Sequence, residues 1–112
     1  KWPEVQEALN KAKEILEEMG DKAGVSVIVY LLGQLASDQE NFEEAVRLLS
    51  VSIESQKAIG DRLHYVEGLL LRGKTYLKLN KLEFAEDDFK EALKTAQRVD
   101  AKFHQADEFL AL

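Results

Sequence analysis

Apolar residues recur along this chain at the three-to-four-residue spacing of a single buried helix face, in blocks separated by short polar breaks. The blocks predict helices over residues 3–19, 22–38, 41–59, 62–78, 81–98 and 101–112. One stretch resists. SVIVYLL, residues 26–32, is rich in β-branched residues and in isolation reads as a buried strand. Its counterpart forty residues on, EGLLLRG at 67–73, is a much better helix former, and that kinship assigns 26–32 to a helix as well.

The kinship is general. Displacing the chain by forty brings Gly20-Asp21 onto Gly60-Asp61, Val29 onto Leu69, Gly33 onto Gly73, Ala45 onto Ala85, Leu49 onto Phe89 and Ile53 onto Leu93. Residues 1–19 resemble the second half of a preceding unit, since Val5 and Leu9 fall on Ala45 and Leu49. Residues 101–112 resemble the first half of a following one. The chain therefore reads as a segment of a longer protein that starts and stops within a repeat.

Punctuation follows the same period. Pro3 suits a first helical position, where its missing N–H is not needed. Gly20 and Gly60 suit left-handed helix stops, while Asp21, Asp61 and Asp100 suit the N-caps that follow. Asn41 with Glu44, and Asn80 with Glu83, have the polar-then-acidic spacing that opens a helix. Such short breaks make successive helices antiparallel, and antiparallel pairs stacked at a fixed period form a solenoid.

A glycine inside a helix costs about 1 kcal/mol relative to alanine, so Gly33 and Gly73 need a reason. Close approach of paired helices supplies one, with Gly33 expected against Ala45 and Gly73 against Ala85. In the second unit Gly73, Tyr76, Ala85, Phe89 and Ala92 read G-x2-Y-x8-A-x3-F-x2-A. This resembles the tetratricopeptide repeat signature, and Gly33, Ala36, Ala45, Leu49 and Ser52 form a weaker copy. The resemblance implies an all-α fold, a right-handed superhelix of antiparallel helix pairs with about six helices. The departures are Arg72 where the family favours leucine, Lys57 and Gln97 where it favours proline, and a period of forty where about 34 is usual.

By the same resemblance, ligands would meet the first helix of each unit on a concave face. Carried over, that stripe is Val27, Tyr30, Gln34, Ser37 and Asp38, then Glu67, Leu70, Lys74, Leu77 and Lys78. Lys74 and Lys78 project from one face and could meet an acidic motif, or could be ordinary solvated lysines. Val27, Tyr30 and Leu70 could floor a groove for a partner helix, or pack first helices together. The asparagine and basic pattern of the family's chaperone-tail clamp is absent.

Charge and composition narrow the classes further. A net charge of -6 disfavours nucleic acid and anionic membrane, and the absence of cysteine removes disulfides and thiolate chemistry and fits a cytoplasmic protein. No apolar run reaches the length of a membrane-spanning helix. His64 and His104, also forty apart, lack the further ligands that a metal site needs. Glu17-Glu18, Glu43-Glu44 and Glu86-Asp87-Asp88 read as solvated helix faces without an apolar cleft to tune a carboxyl group. No nucleophile elbow, phosphate loop or zinc spacing is present.

The sequence thus points to a non-enzymatic module without cofactor or metal that binds a peptide or helix of another protein. The alternatives are a regulatory domain of a larger transcription or signalling regulator, and a structural repeat that self-associates through its ends. FLAL at 109–112 and Trp2 place apolar residues at those ends.

Overall fold

The structure, a computed structural model, describes the backbone of residues 1–110 and the side chains of residues 1–98. It contains five helices in sequence: α1 (Trp2–Glu18), α2 (Lys22–Asp38), α3 (Phe42–Ile59), α4 (Arg62–Lys78) and α5 (Leu82–Leu110). No strand occurs among the described residues, and 26–32 lies wholly within α2.

Each break between helices is built the same way. Gly20, Glu40, Gly60 and Asn80 take left-handed φ values of 72°, 61°, 86° and 59°, at steps of twenty residues. The next residue's N–H then returns to a carbonyl five positions back: Asp21 to Leu16 at 2.9 Å, Asn41 to Ala36 at 2.8 Å, Asp61 to Gln56 at 3.0 Å and Lys81 to Tyr76 at 2.9 Å. That bond satisfies a carbonyl left over at the helix end, and the residue donating it opens the following helix. One tight turn therefore ends one helix and starts another, which fixes the antiparallel order.

Asp21 and Asp61 cap as their sequence predicts. Asp21 accepts from the Gly24 N–H at 2.8 Å and Asp61 from the His64 N–H at 3.1 Å. The asparagines do not. Asn41 precedes α3 without a capping bond from its side chain, and Asn80 is the left-handed residue of its turn, so Lys81 takes the place before α5. The reason is register: under a period of forty the partner of Asn41 is Lys81.

The helix start expected after Asp100 is also absent, because α5 is continuous from Leu82 to Leu110. The twenty-residue step falls on Asp100, where the helix continues without a break.

The core runs along the stack. Val29, Leu32, Leu35 and Ala36 of α2 are buried with Ala45, Leu49 and Ile53 of α3, and Leu69 of α4 with Ala85 and Ala92 of α5. Ile53, Leu69 and Ala92 join the two units, with Tyr65 and Val66 packed against them. Inside each unit a glycine sets the closeness of the pair, but the space above it belongs to a different side chain from the one expected. A Cβ on Gly33 would lie 2.9 Å from Leu49 Cδ2, and one on Gly73 would lie 2.6 Å from Phe89 Cε1. Leu49 and Phe89, rather than Ala45 and Ala85, fill the place of the missing side chains. Gly68 does the same between units, against Ile53 Cγ1 at 2.8 Å.

Neighbours in sequence touch along the stack, and one further pair touches: α2 and α4. Among the described residues no Cα of α1 comes within 8 Å of α3, and none of α3 within 8 Å of α5. First helices adjoin while second helices splay, so the stack curls towards the α2/α4 side.

Candidate functional site

Curvature gives the two sides of the stack different characters. On the inner side, Val27, Tyr30 and Gln34 occupy one face of α2, and Glu67, Leu70, Lys74 and Lys78 one face of α4, at the spacing that aligns side chains along a helix. Val27 and Tyr30 are half-buried, and the other five are exposed. Leu70 leaves 40% of its surface in solvent, an apolar residue between charged ones.

The structure brings two of the seven together across the α2/α4 joint. Partial burial raises the Tyr30 phenol above its ordinary pKa of 10.0, and the nearby Glu67 carboxylate raises it further. The phenol is therefore held neutral and able to donate a hydrogen bond. Lys74 and Lys78 form no ion pair with any described residue, so this face carries two cations open to solvent. Of the wider stripe, Ser37 is half-buried and Asp38 exposed, whereas Leu77 belongs to a separate apolar surface with Leu82, Phe89 and Leu93.

Other singled-out groups have structural partners. His64 turns its Nδ1 onto the Asp61 carboxylate that caps its own helix, and the side chain of His104 lies outside the described residues. Among the described residues no three His, Cys, Asp or Glu gather as metal ligands would. Glu44 grips Arg47 through two bonds of 2.7 Å.

Asp88 departs from the solvated face expected of it. It is buried, and both its oxygens hold Arg72, at 2.8 Å from Nε and 2.6 Å from Nη2. Arg72 also donates to Ser50 Oγ at 3.1 Å and lies 5.7 Å from the centre of the Tyr76 ring, which in turn lies 5.4 Å from that of Phe84. Arg72 thus ties α4 to both α3 and α5. The sequence offered little sign of this, since Arg72 and Asp88 lie sixteen residues apart on different helices.

Residues 66–98, from within α4 into α5, match the family described as tetratricopeptide repeat. The match identifies residues 66–98 as similar to a tetratricopeptide repeat, and the all-helical paired architecture agrees with it. Comparison with curated proteins and with solved structures gives no match. Tetratricopeptide repeats generally mediate protein–protein interactions and are typically non-enzymatic. The signature residues of the repeat now have physical roles. Gly73 admits the Phe89 ring, Ala85 is buried, and Ala92 is buried in the cluster with Ile53 and Leu69 that joins the two units. Where the repeat usually has proline, at Lys57, α3 simply continues to Ile59 before Gly60 closes it. No helix among the described residues is long and apolar enough to cross a membrane.

Proposed function

We propose that this chain binds a peptide or helix of another protein on its α2/α4 face. The observation that carries the reading is the pairing of an exposed apolar residue, Leu70, with two unpaired cations, Lys74 and Lys78, on the side towards which the stack curls. An amphipathic acidic helix matches this surface. Its apolar side would cover Leu70 and its carboxylates would meet Lys74 and Lys78, while the neutral Tyr30 hydroxyl donates to a backbone carbonyl. The receptor helices are held by stacking, so the ligand bears most of the ordering on docking.

The test is a fluorescence titration with a labelled acidic amphipathic peptide, repeated with Lys74→Glu/Lys78→Glu and with Tyr30→Ala. Reversing both charges should weaken binding by about tenfold or more at low salt and much less at high salt. Equal affinity for all three proteins removes the assignment.

A second reading is favoured by an apolar surface formed by the last turn of α4 and the first half of α5. Leu82 and Leu93 there are each 60% exposed, next to Leu77 and Phe89. Self-association through this surface would bury them. Light scattering that reports a monomer across a wide concentration range dismisses it.

A further inference from the structure

The outer side of the stack holds a cleft that the α2/α4 reading does not use. Because α1 and α3 splay apart, a cleft of about 730 Å³ opens between them over α2, within the range of ligand-binding clefts. Its floor is apolar: Leu32, Leu35 and Ala36 of α2 are buried, and Leu48 of α3 lies beside them.

Repeat geometry alone does not leave this space open. Forty residues on, the corresponding positions between α3 and α5 are filled. Arg72 replaces Leu32 and reaches Asp88, which replaces Leu48, and Ser50, which replaces Asn10. Tyr76 replaces Ala36 and packs on Phe84, which replaces Glu44. The second unit carries its own plug. The first has Leu32 and Leu48 in place of the ion pair and Ala36 in place of the Tyr76 ring, and an open cleft.

Four amide side chains line the open cleft: Gln6 and Asn10 from α1, Gln39 after α2, and Asn41 before α3. None of them hydrogen-bonds to a described residue. Each amide offers a donor and an acceptor together, the same pair that an extended main chain presents at every residue. A helix is a poor match, since its own N–H and C=O groups are spent internally. The charges also set a direction. Arg47 is satisfied by Glu44, which leaves Lys13 on the α1 wall and Glu43 on the α3 wall without ion pairs to described residues.

We propose that the α1/α3 cleft is a second binding site, for an extended segment of another protein. The segment's backbone is met by the four amides, a small apolar side chain rests on Leu32 and Leu48, an acidic residue faces Lys13 and a basic one faces Glu43. This site is independent of the α2/α4 face and lies on the opposite side of the stack.

The test selects random linear peptides displayed on phage against the whole chain and titrates the winners by fluorescence anisotropy. Three variants are compared: Asn10→Ala/Gln39→Ala, which removes two amides at the cleft; Leu32→Arg/Leu48→Asp, which copies the second unit's plug; and Tyr30→Ala/Lys74→Glu, which alters the inner face. Peptides of the proposed class should weaken about tenfold with the amide variant, as two lost hydrogen bonds imply, and be unaffected by the inner-face variant. The plug variant should abolish binding, and the amide variant carries the test if the plug variant fails to fold. Selection that yields no binder, or only binders indifferent to the amide variant, overturns the proposal. Binders that respond to the inner-face variant alone support the other site and sink this one.

Discussion

Arg72 holds Asp88 through two bonds of 2.8 and 2.6 Å at the places that Leu32 and Leu48 occupy one unit earlier. An apolar pair in one repeat has become an ionic pair in the next, and both partners changed together. Side-chain exposure is 20% for Arg72 and 6% for Asp88, so removing either partner alone strands a charge that water reaches poorly. Arg72→Leu should therefore destabilise the chain by about 3 kcal/mol. Arg72→Leu/Asp88→Leu, which restores the first unit's arrangement, should recover most of that loss or exceed it. Urea unfolding of wild type, both single variants and the double variant measures the coupling. Additive losses would show that the pair contributes nothing as a pair.

The glycines give a steric prediction. A Cβ on Gly73 would meet the Phe89 ring at 2.6, 2.9 and 3.0 Å, and a ring held between two helices has little room to retreat. Gly73→Val should cost roughly 1–3 kcal/mol by overpacking, more than offsetting any helix-propensity gain. Gly73→Ala/Phe89→Leu should lose less than Gly73→Ala alone, because the clash sits with the ring. Thermal melting of the three variants decides it, and an equal loss with and without Phe89 would place the strain elsewhere.

The repeat was legible because its marks are local and chemical: Gly20 and Gly60 stop helices, Asp21 and Asp61 start them, and the apolar positions keep step. Propensity misleads at 26–32, where tertiary burial of Val29 and Leu32 in a helix overrides β-branching. Asn80 misleads for a different reason, since asparagine suits both an N-cap and a left-handed turn, and only the return bond from Lys81 to Tyr76 separates the two. The inner stripe was carried over from the family resemblance rather than read from the residues, and the approach of Tyr30 to Glu67 depends on the curl of the stack. The outer cleft was not legible at all. It exists because α1 and α3 splay and because the first unit has Leu32 and Leu48 where the second has Arg72 and Asp88, facts that no single helix carries.

Glu40 is the one turn residue without a conformational excuse. Its φ of 61° is in the left-handed region, where a side chain costs roughly 1–2 kcal/mol and glycine almost nothing. Its counterparts at the other three turns are Gly20, Gly60 and Asn80. Glu40→Gly should stabilise the chain by about 1 kcal/mol after the entropy of a freer unfolded chain is deducted. Gly60→Ala should do the reverse by a similar amount. Differential melting temperatures of the two variants should therefore move in opposite directions.

Acid should loosen the start of α4 through Asp61. The His64 backbone N–H, opposed by partial burial and assisted by the His64 ring, holds this carboxyl below its ordinary 3.8. A carboxyl depressed in the folded state contributes stability that is complete above the unfolded value and fades as pH falls through the folded one. The window thus opens near 3.8 and extends downward. Above it, Asp61→Ala should cost about 1 kcal/mol for the lost cap. Asp61→Asn keeps a capping oxygen but has no proton to gain, so it should lose less stability than wild type as pH is lowered through that window. Unfolding curves for wild type and Asp61→Asn across the acid range test the point, and parallel decline of the two would transfer the acid sensitivity to other carboxylates.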